Sequence, residues 1–198
     1  MFENIIKFRA NKEYIKHYTE CLPIPSKINI PEWFKKLEHN NANRTVKGCM
    51  PFLDSLTAGY ILKMPVDYFL VHNIKDEGEF KILNPWIIQT PPGYSCLFLP
   101  PMNNTDDRFS IIPAIVDTDT FNEEINFPFI VNGDKYSTLE TTIEIGTPYV
   151  QVIPFKRESW KMKIEPLGSE EIQQNMFSKA KRVIHNYKNL MWHKKSWK

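Results

Sequence analysis

Glycine is scarce in this sequence, seven residues in 198, while proline reaches fifteen. Phosphate loops and dinucleotide folds need glycines clustered between a strand and a helix, so that backbone amides can approach phosphate, and no such cluster is present. The G-x-S-x-G elbow of serine hydrolases is missing too. Cysteine is limited to Cys21, Cys49 and Cys96, an odd set without CxxC spacing. That argues against a disulfide framework or a zinc site and fits a reducing compartment. His17, His39, His72, His185 and His193 share no metal-ligand spacing, so no metal site is expected. Long apolar runs are also lacking. The opening MFENIIKFRANKEY breaks its apolar residues with charges, which predicts no signal-peptide core, and no run elsewhere is long enough to span a bilayer.

A net charge of +2 is too small to mark nucleic acid as the main partner, because backbone binding relies on a concentrated basic face. After Glu171 no acidic residue follows, whereas Lys179, Lys181, Arg182, Lys188, Lys194, Lys195 and Lys198 do, giving a basic tail. The apolar fraction of 42% and charged fraction of 24% are those of a chain that folds around one core. Thirteen Phe, eight Tyr and five Trp make that core bulky.

The proline content predicts short or edge-placed strands and stiff loops. In residues 1–65 an extended arm is expected around Leu22-Pro23-Ile24-Pro25, then a short helix opened by Pro31 and another over MPFLDSLTAGYILKMP that stops at Gly59. From Val66 the period changes. VDYFLVHNI, EFKILNPWIIQT, YSCLFLPP, FSIIPAIVDTD, EINFPFIVN, LETTIEI and PYVQVIPF are short β-branched or aromatic runs, so residues 66–165 read as a β domain of meander, sandwich or small-barrel type. Residues 166–198 predict an amphipathic helix with Ser169 as N-cap and Glu170 and Glu171 in its first turn. Its apolar stripe runs through Ile172, Met176, Phe177, Val183, Ile184, Tyr187 and Met191 and is expected to pack on the β body. The three segments form one unit of mainly β (α+β) class.

Two segments carry chemistry-bearing words: Ala114-Ile115-Val116-Asp117-Thr118-Asp119 and Gly146-Thr147-Pro148-Tyr149-Val150-Gln151-Val152. They resemble the hairpin Gly-x-Ile-Asp-x-x-Tyr-Arg-Gly and the later Gly-Asp-x-Ile-Ala-Gln-Leu of trimeric dUTPases and dCTP deaminases. The resemblance implies a compact antiparallel β-clip-like sandwich or barrel and a homotrimer. It makes Asp117 the carboxylate that activates water for attack on the α-phosphate, a role suited to an ionised carboxylate. Phe121, with a one-residue shift, stands for the ring that stacks on deoxyribose, and Gln151 is the structural glutamine. Mg²⁺ is implied only if nucleotide hydrolysis is the reaction. The family's Pro-Arg-Ser motif has no match, its nearest counterpart being Pro100-Pro101-Met102-Asn103-Asn104, and Ala114 replaces the hairpin glycine. Over the whole chain, CMPFLDSLTAGYI, NPWIIQTPPGYSCLFLPPMNN, IVDTD and GTPYVQVIPFKRESWKM resemble proteins of contractile-tailed marine phages and some bacteria. That likeness places the protein in a host cytoplasm or a virion.

Three readings remain open. The first is a small-ligand or nucleotide-binding domain, whether or not it hydrolyses or deaminates its ligand. Its pocket is expected around Trp86, Tyr94 and Phe121, with Asn103, Asn104, Asp119 and Gln151 as polar contacts. The second is a viral structural or assembly protein acting through subunit contacts. The third is a host-directed interaction protein whose basic C-terminal helix engages a protein partner. No membrane association is expected.

Overall fold

The structure, a computed structural model, describes residues 4–40, 42–73, 80–132, 138–180 and 187–198. The N-terminal part already contributes strands: β1 (Lys7–Arg9), β2 (Ile24–Pro25) and β3 (Tyr60–Lys63). Between them lie the short helices α1 (Lys12–His17), α2 (Glu32–Lys36) and α3 (Met50–Thr57). The body continues through β4 (Tyr68–Asn73), β5 (Phe80–Ile82), β6 (Ile87–Gln89) and β7 (Tyr94–Leu99). It closes with β8 (Phe109–Ile111), β9 (Ala114–Val116), β10 (Phe127–Val131), β11 (Thr138–Ile143) and β12 (Pro148–Lys156). Helix α4 (Ser169–Ala180) follows.

Among the described residues every strand pairing is antiparallel, so the expected mainly β fold is what forms. Among the described residues the central sheet has the order β2-β3-β12-β7-β9, flanked by the smaller sheets β5-β10-β8, β11-β4 and β1-β6. None of these closes into a barrel. Strand β12 is central and buried from Tyr149 to Val152, as a strand covered on both faces must be. Strands β10 and β11 instead alternate, burying Phe127 and Phe129 and then Leu139 and Ile143 while their other side chains turn outward. The core between the sheets joins Leu62, Met64, Leu70, Ile82, Ile88, Phe98, Phe127 and Tyr149. Its rings meet edge-on or tilted, as their quadrupoles favour.

Proline acts as the sequence suggests. Strand β3 ends its pairing at Tyr60 opposite Val152, so among the described residues the last part of β12 has only β7 beside it, and Pro154 stands there opposite Cys96. Gly59 turns the chain from α3 into β3 at φ +67°, where its backbone passes Val152 O so closely that an added Cβ would lie 1.9 Å from that oxygen.

The C-terminal helix departs from expectation. Gly168, not Ser169, is its N-cap: Ile172 N donates to Gly168 O at 3.0 Å, and Glu171 Oε2 accepts from Gly168 N at 3.0 Å. The apolar stripe is not covered by the body, since Ile172 and Met176 are 46% and 66% exposed. The physical reason is the path before it. From Arg157 the chain runs outward through fully exposed Trp160, Met162 and Ile164, so α4 starts away from the sheets. Val183 and Ile184 lie outside the described residues, and a π-helical turn occupies Tyr187–Met191. No described helix is long and apolar enough to cross a membrane.

Candidate functional site

Strand β9 ends in a tight acidic turn. The Asp117 backbone O accepts from Thr120 N at 3.1 Å and from Phe121 N at 2.9 Å, which closes the turn through the main chain and leaves the carboxylate for other partners. Thr118, buried inside the turn, sets its hydroxyl 2.8 Å from the Thr90 hydroxyl and donates to Cys96 Sγ at 3.3 Å. Burial pushes the Cys96 thiol up to about 11, so this sulfur is a packed neutral group and no nucleophile.

A second loop meets this turn. Pro91-Pro92-Gly93 folds back on itself with Tyr94 N donating to Pro91 O at 3.2 Å, and Gly93 takes φ +84°, a value L-residues avoid. Gly93 N then donates to Asp119 Oδ2 at 2.8 Å. Arg157, just past the end of β12, completes the cluster by forking onto the same carboxylate, Nη1 to Oδ1 at 2.8 Å and Nη2 to Oδ2 at 2.5 Å. The guanidinium, aided by the Gly93 amide, lowers Asp119 to about 2 and raises the pKa of Arg157 in return. Arg157 N also donates to Gly93 O at 2.9 Å, so loop and strand end are held twice.

The two aspartates therefore differ in kind. Asp119 is 7% exposed and both its oxygens are engaged. Asp117 is 61% exposed, and only its Oδ1 is held, by Ser95 Oγ at 2.6 Å and by Arg157 Nη1 at 3.3 Å. Its other oxygen has no bond among the described residues. Ser95 Oγ itself accepts from Arg157 Nη1 at 3.0 Å, so the serine links cation to carboxylate. Such a carboxyl group, oriented from one side, can take a proton from a water or receive a hydrogen bond from a ligand.

Reached from the turn through Thr90 and Tyr94 lies a cleft of about 270 Å³ whose walls include Tyr60, Thr90, Pro91, Tyr94, Pro154 and Trp197, and which Ser95, Asp117, Asp119 and Arg157 do not line. Tyr94 OH accepts there from Asn4 Nδ2 at 2.9 Å. Of the residues singled out from sequence, Tyr94 lines this cleft, and Asp119, Asp117 and the backbone of Phe121 gather at the turn next to it. Phe121 is 38% exposed.

The others stand elsewhere. Trp86 is 2% exposed and packs edge-on against Tyr14 at 5.7 Å, so it is a core ring and not a pocket wall. Local pattern could not reveal this, because the sheet that covers Trp86 is built from distant segments. Asn103, Asn104 and Gln151 form a separate knot around the end of α3. Gln151 Oε1 accepts from Met102 N at 2.8 Å, and its Nε2 donates to Ser55 O and Ala58 O at 3.0 and 2.7 Å. Asn103 takes φ 57° and donates to Ser55 Oγ at 2.8 Å, while Asn104 reaches Asn29 O at 3.4 Å. On β7 the partner of Gln151 is Leu99 and that of Phe155 is Ser95, which sets the knot about 13 Å from the aspartate turn along the strand. Asp106 binds Arg108, which continues to Thr142 O on β11 at 2.9 Å and so joins another part of the molecule.

Sequence reading missed Ser95 and Arg157. Their only signal is register: Ser95 faces Phe155 across the β7–β12 ladder, two residues before Arg157. Among the described residues no group of three or more His, Cys, Asp or Glu side chains is gathered to hold a metal ion.

No family model matches this chain, and no curated protein matches it by sequence. Solved structures with a similar chain path do exist. The dUTPase of EIAV is 18% identical, with 57% of this chain and 84% of that one covered at a TM-score of 0.41. A mutant dUTPase from phage phi11 of S. aureus is 11% identical over 85% of this chain and 99% of that one, at a TM-score of 0.45. A mutant dUTPase of Staphylococcus bacteriophage 80alpha, solved with dUpNHpp, is 11% identical over 84% of this chain and 91% of that one, also at 0.45. At these identities and scores the overlap bears on neither activity nor substrate, and the chain is similar to these dUTPases in its path alone.

Proposed function

We propose that the protein binds a nucleotide, or a small molecule of similar build, at the Tyr94–Asp117 end of the central sheet. The observation that carries this is the asymmetry of the two aspartates. Asp119 is neutralised in place by Arg157 and Gly93, and this fixes the turn, while Asp117 keeps an exposed oxygen at the end of the sheet whose other face carries the tyrosine-walled cleft. Aromatic walls suit a planar base and an exposed carboxylate suits a sugar hydroxyl or a water near phosphate. The words Ala114–Asp119 and Gly146–Val152, similar to those of dUTPases, support the same choice. In a hydrolytic version Asp117 orients and deprotonates the attacking water. A Mg²⁺ held by the protein does not fit this donor set, with Asp117 the sole carboxylate left open at the turn, so no step passes through one.

The test is the thermal midpoint against deoxynucleoside triphosphates, each with and without magnesium. A true ligand at one hundred times its Kd stabilises by about 2.7 kcal/mol, on the order of 5–10 °C for a domain of this size. That shift should vanish in Asp117→Ala while the far-UV circular dichroism stays unchanged. No shift with any nucleotide, or an equal shift in the variant, would remove the reading.

A second reading, assembly through protein contacts, is favoured by one observation. Trp160, Met162 and Ile164 are 86%, 88% and 85% exposed on consecutive alternate positions, an arrangement suited to a surface that another chain covers.

A further inference from the structure

The segment from Trp192 to Lys198 returns to the body after the exposed helix. It is held chiefly at Asp54 on α3. Trp192 Nε1 donates to Asp54 Oδ2 at 2.9 Å, and Lys195 Nζ reaches the same oxygen at 2.6 Å while lying 5.6 Å from the Trp192 ring centre. Further along, Trp197 meets the Tyr60 ring edge-on at 6.3 Å, and Tyr60 OH donates to Lys198 O at 3.2 Å. The segment Trp-x-x-Lys-x-Trp thus has three points of contact on one groove of the body, at Asp54, at the Tyr60 ring and at the Tyr60 hydroxyl.

Trp197 has a particular place there. On one side it walls the 270 Å³ cleft of Tyr60 and Tyr94, and on the other a 400 Å³ cleft floored by Leu53 and Thr57. The first volume alone falls below the span of about 300–1,000 Å³ usual for small-molecule sites. Departure of the indole would join the two. The hold is of a kind that can let go, since Asp54 and Lys195 are 24% and 46% exposed and water competes for both.

We propose that residues 192–198 form a displaceable latch over the tyrosine cleft, clamped at Asp54, and that an aromatic ring of a ligand takes the place of the Trp197 indole against Tyr60. That this ring is a nucleobase rests on the nucleotide reading above; the latch itself rests on the contacts of the tail.

Two measurements on the full chain test it. The first is the rate of tryptic cleavage after Lys194, compared between the wild type, Asp54→Asn and Lys195→Gln. Loss of the clamp should raise it at least about fivefold, because cleavage follows the population of the open form. The Lys195→Gln variant leaves the body untouched, so it answers the objection that Asp54→Asn simply unfolds α3. The second is binding of the aromatic dye anilinonaphthalene sulfonate, which should rise in Trp197→Ala with unchanged far-UV circular dichroism. Equal cleavage rates in all three proteins, or no gain in dye binding, overturn the latch. Failure of every nucleotide to raise the thermal midpoint, with both of these results intact, would remove the nucleotide and leave the latch standing.

Discussion

At the level of single residues, Asp119 is the group with the clearest measurable signature. Its carboxylate is held near 2 by Arg157 and Gly93, against about 3.9 for a free aspartate. The folded state therefore favours the ionised form. The stabilisation is fully present above the unfolded value and is lost as pH falls through the folded one, so its window lies between about pH 4 and 2. Asp119→Asn should lower the melting temperature at pH 7, and the gap to wild type should hold constant down to about pH 5 and shrink below about pH 4. A gap that stayed equal at pH 3 and pH 7 would show that the ion pair is not what the variant removed. The sequence made the Asp117-Thr118-Asp119 turn visible, because Asp at such positions bonds its own backbone. It did not show which aspartate stays open. That is decided by Arg157, which lies 38 residues away and arrives only through the register of β12 on β7. Trp86 teaches the same lesson in the other direction: an aromatic ring next to turn residues reads equally as wall or core until its sheet neighbours are placed.

At the level of elements, the hinge between α3 and β3 separates two kinds of glycine. Gly59 and Gly93 both have positive φ, but an added Cβ would meet Val152 O at 1.9 Å in the first and nothing within 4 Å in the second. Gly93→Ala should therefore cost the left-handed strain alone, about 1–2 kcal/mol. Gly59→Ala must also push β3 away from β12, and should exceed about 3 kcal/mol or abolish folding. Urea denaturation of the two variants checks the order, and a Gly59→Ala protein as stable as Gly93→Ala would mean that the close approach to Val152 is wrong. The seven strand-like runs after Val66 were legible because alternation and β-branched content are local. Strands β1 and β2 were not, being three and two residues long and defined only by pairing to β6 and β3. The amphipathic period of α4 was legible as well, yet periodicity states only that a stripe exists. Whether the body covers it depends on where the preceding chain leads, and here Arg157 is the last residue before α4 whose backbone, among the described bonds, is held to the sheet.

For the whole molecule, the fold leaves several large apolar side chains outside. Trp160, Met162 and Ile164 alternate with Lys161, Lys163 and Glu165, the pattern of a strand with one greasy face, but they pair with nothing among the described strands. On the β4–β11 sheet Phe69 and Val71 are likewise 62% and 52% exposed. Water-exposed apolar rows of this kind invite pairing with another chain. If the protein assembles through them, sedimentation at micromolar concentration should show a species larger than the monomer. The double variant Met162→Asp and Ile164→Asp places charge on the greasy face without touching the core, so it should return the species to monomer with unchanged circular dichroism. Subunit contacts made there would also hold α4 and the following tail near a neighbouring copy, and the variant should then speed proteolysis between Arg157 and Ser169. A monomeric wild type would remove the assembly reading and leave the exposed row as a surface for some other partner. An oligomer unaffected by both substitutions would move the contact to the β4–β11 face, where Phe69→Lys becomes the next variant to sediment.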